Sequence, residues 1–292
     1  MKKLSILLIF LLLLSGCGMR EEADLAATTL PVYEFTTRLC DGTGITVTRL
    51  VTENVSCLHD YSLQVHQMRA ISAADAVILS GAGLEEFLED ALTSAKHVVD
   101  ASQGLTLLAG EHHDHDHDGD HSHGHLHEED PHIWLSPKNA ARMAQNICEG
   151  LCALYPSQES VFRSNLIALL SDLDALQSYG EAQLADLSCR ELITFHDGFS
   201  YLAESFDLHI LRAIEEESGS EASAAALIDL IGIVNDHELK ALFTEINGAD
   251  AAASIIAAET GVKLYTLDMA MAGDSYFEAM YRNIDTLKEA LQ

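Results

Sequence analysis

Twice along the chain, four short apolar runs alternate with stretches of helical spacing, and one long amphipathic stretch separates the two series. The first runs are 26–30, 45–51, 76–79 and 96–99, with helical spacing over 32–40, 62–74 and 84–94. Runs this short and this uniformly apolar read as strands of a parallel sheet covered on both faces. The alternation of strand and helix is the rhythm of an α/β domain. The second series predicts strands at 191–195, 209–214, 241–244 and 263–267, with helices near 198–206, 222–236, 249–259 and 275–291. Between the series, Ser136 is a natural N-cap and Pro137 a natural first helical residue, which predicts a helix over 137–155. A second helix, over 157–187, places Val161, Phe162, Leu166, Leu169, Leu170, Leu173 and Leu176 near one face. At about 30 residues it suits a rigid connector. The expected fold is therefore α/β, with two lobes, each a parallel-type sheet flanked by helices, joined by a long rigid linker helix. The lobes are expected at 26–136 and 189–292, with the linker helices at 137–188.

The N-terminus points to a compartment. Lys2 and Lys3 precede an apolar segment, 4–14, too short to span a bilayer as a stable helix. It ends in Leu14-Ser15-Gly16-Cys17, which resembles a bacterial lipobox, so 1–16 is expected to be a lipoprotein signal peptide and Cys17 the lipidated residue. Residues 17–25 then form a tether. The expected location is extracytoplasmic, lipid-anchored to the bacterial cell membrane, with no spanning helix. A formal charge of −30 argues against nucleic acid as a partner, because a polyanion would be repelled. The same charge suits capture of cations or docking on a basic protein surface. Cys40, Cys57, Cys148, Cys152 and Cys189 leave an odd number of thiols beyond Cys17. Cys148 and Cys152 read as small core residues of one helix, and a Cys40–Cys57 disulfide is open to an exported protein.

The first series of strands is interrupted by a tract rich in metal ligands. Residues 112–127 hold His112, His113, His115, His117, His121, His123, His125 and His127, interleaved with aspartates. Glu128, Glu129 and Asp130 extend its acidity, and the loop as a whole is expected over 111–130. Imidazole and carboxylate suit borderline transition metals, zinc first, then copper and nickel. A segment with so little apolar content cannot pack a core. It is expected to hold metal ions loosely, as an accessory low-affinity store.

In open α/β sheets, ligands bind beyond the carboxyl ends of the strands. Four loops in such places carry metal-binding side chains: Cys57-Leu58-His59-Asp60-Tyr61, Asp130-Pro131-His132-Ile133-Trp134, Phe195-His196-Asp197-Gly198-Phe199 and Thr266-Leu267-Asp268. Taken singly, each histidine is more often a structural residue than a ligand. Three imidazoles and one carboxylate, two from each lobe, would make a closed tetrahedral site suited to Zn²⁺. Asp60, Asp130 and Asp197 could orient imidazoles or could be ordinary loop acids. His66, His97, His209 and His237 read as surface or helix-end histidines. Glu215, Glu216 and Glu217 read as a solvated loop or as part of a docking surface.

These phrases carry a family resemblance across 26–292. His59-Asp60-Tyr61, then Ala73-Ala74-Asp75-Ala76-Val77-Ile78-Leu79-Ser80-Gly81-Ala82-Gly83-Leu84-Glu85, then Asp130-Pro131-His132-Ile133-Trp134-Leu135-Ser136-Pro137, His196-Asp197-Gly198-Phe199 and Phe243-Thr244-Glu245 follow one another in order. The chain resembles the cluster A-I metal-binding ABC-transporter substrate-binding lipoproteins, the ZnuA/TroA type. The resemblance implies a metal-ligand set of His59, His132, His196 and Asp268. It also implies delivery of the metal to an ABC permease and its ATPase, by a monomer without enzymatic activity. Manganese members usually lack a histidine at the position of His196. Three histidines and the His-rich insertion before Asp130 resemble the zinc members, so Zn²⁺ is the expected transported ligand, ahead of Mn²⁺. Two departures stand out: Ser56-Cys57-Leu58 precedes His59 where many relatives are rich in glycine or proline, and Met269-Ala270 follows Asp268 where many have proline and leucine. The fourth ligand therefore stays open between Asp268, Glu245, a neighbouring acid and water. Three other readings remain: a manganese or iron importer of the same fold, a surface zinc hydrolase, and a metal buffer or adhesin built on the His-rich tract. The chain has no HExxH pair, which removes the commonest zinc-protease signature.

Overall fold

The computed structural model describes residues 23–53, 58, 61–110, 129–214, 223–246, 248 and 251–292. His59, Cys57, Asp60, the N-terminal 1–22 including Cys17, the eight histidines of 112–127 and Glu215–Glu217 all lie outside the described residues.

The N-terminal lobe holds strands β1 (Leu25–Ala27), β2 (Val47–Arg49), β3 (Ala76–Leu79) and β4 (Val98–Asp100). Helices α1 (Leu30–Leu39), α2 (Val65–Ala73) and α3 (Glu89–Leu92) connect them. Two helices follow, α4 (Pro137–Leu154) and α5 (Glu159–Gln183). The C-terminal lobe holds β5 (Glu191–Thr194), α6 (Ser200–Ser205), β6 (His209–Ala213), α7 (Ala224–Asp236), β7 (Ala241–Glu245), α8 (Ala251–Thr260), β8 (Lys263–Leu267) and α9 (Tyr276–Leu291). Both sheets are four-stranded and parallel, in the orders β2-β1-β3-β4 and β6-β5-β7-β8, so the second lobe repeats the topology of the first.

This is the expected two-lobed α/β architecture. The differences are local and have physical causes. The run 26–30 does not stay extended to its end: Thr29 caps α1 and Pro31 sits in its first turn, where a missing N–H costs nothing. The stretch 84–94 is not one helix but a 3₁₀ turn, Glu86–Leu88, followed by the short α3. Glu85 is the reason, because its carboxylate folds back to accept Ser80 N–H at 2.7 Å and Gly81 N–H at 3.0 Å. The linker helix α5 stops before 187. Arg190 Nη2 there donates to the carbonyls of Leu184 (2.8 Å) and Ala185 (3.0 Å), satisfying acceptors that further helix would otherwise use. α5 is about 37 Å long at 1.5 Å per residue.

One hydrophobic core runs through both lobes. It takes in Phe35 and Leu39 of α1, Met143, Ile147 and Leu151 of α4, Phe162, Leu169 and Leu173 of α5, and Met280, Ile284 and Leu287 of α9. Smaller cores lie on the other face of each sheet, under α2 and α3 in one lobe and under α7 and α8 in the other. Trp134, fully buried, stitches the lobes: its Nε1 donates to Met269 O at 2.7 Å, and its own carbonyl accepts from Tyr276 Oη at 2.8 Å. Tyr201 of α6 reaches the other way, donating to Asp130 O at 3.0 Å and accepting Leu108 N–H at 2.9 Å. Ala109 and Glu129 form an antiparallel bridge at the base of the His-rich insertion. Cys40 is a free, buried thiol, and burial pushes it up to about 12; Cys148, Cys152 and Cys189 are also free. Among the described residues no helix is long and apolar enough to cross a membrane.

Candidate metal centre

Side chains from both lobes converge where the strands of the C-terminal sheet end. β5 runs out at Thr194, and His196, in an extended conformation, caps the 3₁₀ turn Asp197–Phe199. β7 ends on Glu245 and β8 ends one residue before Asp268. From the N-terminal lobe, His132 caps the 3₁₀ turn Ile133–Leu135 that leads into α4. Parallel strands deliver their carboxyl ends to one edge, so sequence-distant residues meet there.

The rings of His132 and His196 stand edge to face, 5.2 Å between centroids, and each residue is 6% exposed. The two imidazoles come from opposite lobes and are nearly sealed from water. Each has Nδ1 turned to a carboxylate. His132 Nδ1 lies 2.8 Å from Asp130 Oδ1, which also accepts the His132 backbone N–H at 2.9 Å. His196 Nδ1 faces Glu245 Oε2 at 3.8 Å, an ion-pair distance longer than a hydrogen bond. For His132 the Asp130 hydrogen bond fixes ring orientation and leaves Nε2 as the nitrogen the ring can offer to a metal. Burial disfavours the charged form of His132, but the Asp130 hydrogen bond and charge, with the charges of Asp197 and Glu245, raise its pKa above the ordinary histidine value.

Of the three acids placed beside candidate ligands in the sequence, Asp130 does contact an imidazole, Asp197 acts on His132 through its charge, and Asp60 lies outside the described residues. Glu245, known from sequence only as an alternative fourth ligand, is the acid facing His196. The contact arises because β5 and β7 are neighbours, with Thr194 in register with Phe243, so both chain exits fall together.

Asp268 is held differently. Its backbone N–H donates to Asn283 Oδ1 at 2.8 Å, and its carbonyl accepts from Asn283 Nδ2 at 2.7 Å. Its carboxylate accepts Ala270 N–H at 2.8 Å and Arg282 Nη2 at 2.9 Å. Among the described residues, no three His, Cys, Asp or Glu side chains are grouped closely enough to hold a metal ion. Apolar side chains line the imidazole pair: the Trp134 ring is 5.5 Å from that of His132, and Phe199 is 6.5 Å from His196. Gly198 lies under both rings, and its lack of a side chain is what lets them approach. A β-carbon there would come within 2.8 Å of His196 Cδ2 and 3.0 Å of His132 Cδ2. A groove of about 550 Å³ also opens between the lobes, lined by Leu105, Ser136, Lys138 and Tyr201 among others, but it contains none of these histidines.

Two parallel α/β lobes, a helical spine and histidines facing each other across the junction define a two-lobed binding protein. The chain belongs to the family of the periplasmic component A of zinc-uptake complexes (ZnuA), whose family model matches residues 25–290. It is 30% identical to the zinc-binding lipoprotein AdcA of Streptococcus pneumoniae serotype 4 over 99% of this chain and 61% of that protein. The chain therefore spans about 61% of the length of that relative. The AdcA zinc-binding protein of Streptococcus pyogenes serotype M1 is also 30% identical, over 91% of this chain and 56% of its own length. Among solved structures, a crystal structure of ZnuA superposes with a TM-score of 0.79 at 29% identity, covering 92% of this chain and all of that one. The Zn(II)-bound ZnuA-like domain of S. pneumoniae AdcA gives 0.76 at 25% identity, over 92% and 99% of the two chains.

Proposed function

We propose that this protein is the extracytoplasmic solute-binding component of a zinc-uptake system. It takes Zn²⁺ between its lobes and hands it to an ABC permease coupled to its ATPase. The observation that carries this reading is the pair of buried imidazoles from opposite lobes, each with Nδ1 turned to a carboxylate. Neutral imidazoles backed by carboxylates are the donor arrangement zinc favours. The relatives named as zinc-binding lipoproteins, and the Zn(II)-bound AdcA domain, support zinc as the cargo.

In this reading His132, His196 and His59 supply three nitrogens and Asp268 the fourth ligand, while Asp130 and Glu245 orient imidazoles. A site closed by four protein ligands has no open position for a reactive water, so the protein binds and releases without making or breaking bonds. Cys17 carries the lipid that keeps the mature protein at the bacterial membrane, residues 1–16 being its signal peptide. It works as a monomer. The histidines of 112–127 collect zinc weakly beside the tight site.

The test is metal stoichiometry of the full chain with and without 112–127, and of the His132→Ala and His196→Ala variants. One tight zinc should survive the deletion and be lost in either point variant. Loss of all tight binding on deletion would transfer the function to the His-rich tract.

A further inference from the structure

Two thiols lie side by side on α4. Cys148 and Cys152 are about one turn apart, where residues i and i+4 share a helix face, and their Sγ atoms are 4.0 Å apart. Both are free. Cys148 is fully buried in the core that runs through the lobes, and Cys152 is half-buried at its edge. The helix is held firmly between them, because a β-carbon on Gly150 would come within 2.7 Å of Val99 Cγ1 of β4. Cys148 lies about 16 Å along α4 from Pro137 at 1.5 Å per residue, so the pair stands apart from the imidazoles at the lobe junction.

The separation fits one shared cation. With metal–sulfur bonds of about 2.3 Å, two sulfurs stand about 3.8 Å apart in a tetrahedron and about 4.6 Å apart in a line. Thiolate is the soft donor that selects Cu⁺. Among the described residues no third His, Cys, Asp or Glu joins the pair, so it suits an ion satisfied by two sulfurs rather than Zn²⁺, which takes four ligands. Burial, with Cys152 beside it, pushes the Cys148 thiol up, so the empty pair keeps its protons and takes an ion able to displace them. Arg163 of α5 is near enough for its charge to favour the Cys148 thiolate. That charge offsets the excess negative charge of two thiolates around a monovalent ion.

We propose that Cys148 and Cys152 form a second metal site, a two-thiolate clasp for Cu⁺ on the helical spine. Binding breaks two S–H bonds, makes two Cu–S bonds and releases two protons to solvent, with no electron transferred. The ion enters from the Cys152 side, the half-buried edge of the pair. The clasp is independent of the zinc reading: soft sulfur on one helix, borderline nitrogen at the lobe junction.

The test loads the zinc-saturated full chain, in detergent, with Cu⁺ under argon and a thiol-free reductant, then titrates it against the Cu⁺ chelator bathocuproine disulfonate. One Cu⁺ per chain should be withheld from the chelator, with two protons released as it binds and zinc retained. Cys148→Ala and Cys152→Ala should each weaken that ion by about 100-fold or more, because a lone thiol loses the advantage of a linked second donor. The double variant should add little to either single one. Cys40→Ala and Cys189→Ala, which remove the other described thiols, should leave the ion in place. No withheld Cu⁺ in the wild type overturns the proposal, as does Cu⁺ retained in either Cys148→Ala or Cys152→Ala. A loss shared equally by all four single variants overturns it too, since it would mean scattered binding to separate thiols. Should Cys148→Ala not fold, Cys152→Ala at the half-buried position carries the test, with circular dichroism reporting the fold. A chain that takes no zinc but withholds Cu⁺ through this pair would fail the zinc reading and leave the clasp standing.

Discussion

Arg282 donates from Nη2 to Oδ2 of Asp268 at 2.9 Å, tying the end of β8 to α9. With Ala270 N–H on the other oxygen, both carboxylate oxygens have partners within the protein. If Asp268 is the fourth ligand, a metal must take it from Arg282. Arg282→Gln should then tighten zinc by about two- to fivefold, the scale of a partly exposed ion pair. Asp268→Asn is the companion measurement and should weaken zinc. A weakened Asp268→Asn with an unchanged Arg282→Gln would mean the arginine does not compete, and no change in either would remove Asp268 from the site.

The pairing of Asp130 with His132 sets a pH dependence. A metal requires the neutral ring, but Asp130 and the nearby charges overcome the burial penalty and raise the His132 pKa. Protons should therefore begin to displace zinc above the ordinary histidine value of 6.5 as pH falls. Asp130→Asn removes the chief source of the rise. In that variant the pH at which half the zinc is lost should move lower. Affinity at neutral pH should still fall by about 10- to 100-fold, because the ring loses its orienting partner. In the metal-free protein the sign reverses. The protonated His132–Asp130 pair adds stability that is fully present below 6.5 and lost as pH rises through the folded-state value.

Much of this arrangement is legible in the chain, and the parts that are not share a cause. β3 and β8 fall on the bounds that the apolar runs indicate, and the Ser136–Pro137 start of α4 follows from local rules of capping. Asp130 beside His132 is readable because both lie on one short loop. The Glu245–His196 contact is not, because it needs the β5–β7 adjacency, which no local pattern encodes. Glu85 reads as part of a helix, yet it turns back to cap a loop containing Gly81, Ala82 and Gly83, all at positive φ. Arg282 is likewise invisible as a partner of Asp268 until α9 is packed against the end of β8.

Gly198 is a position where a single methyl should disable the site without unfolding the protein. Added there, it meets Met269 Cε, which as the end of a flexible chain can move aside. It also meets Cδ2 of both His132 and His196, buried rings of which His132 is held by Asp130, and these cannot yield as cheaply. Gly198→Ala should cost about 1–3 kcal/mol of stability, the range for overpacking, and weaken zinc at least tenfold. Retained affinity in a folded variant would show that the rings part more easily than their partners suggest.

Glu85 gives a second pH dependence, away from the metal. It is buried, and burial pushes its carboxyl up to about 7 against hydrogen bonds from Thr28 Oγ1, Gly81 N–H and Ser80 N–H that favour the ionised form. A carboxyl raised in the folded state binds its proton more tightly there than in the unfolded chain. Its contribution is fully present below the unfolded value of 4.5 and is lost as pH rises through about 7. Across that window it is worth at most roughly 3 kcal/mol. Chemical denaturation of the metal-free protein at pH 5 and pH 8 should therefore show stability falling toward the higher pH. Glu85→Gln cannot ionise, so it should remove part of that fall while weakening the loop at both pH values through its mismatch with the Gly81 or Ser80 N–H. The His132 variants serve as the control, since His132 contributes in the same direction. A slope that Glu85→Gln leaves untouched would mean that Glu85 stays ionised in its buried cap across the whole range.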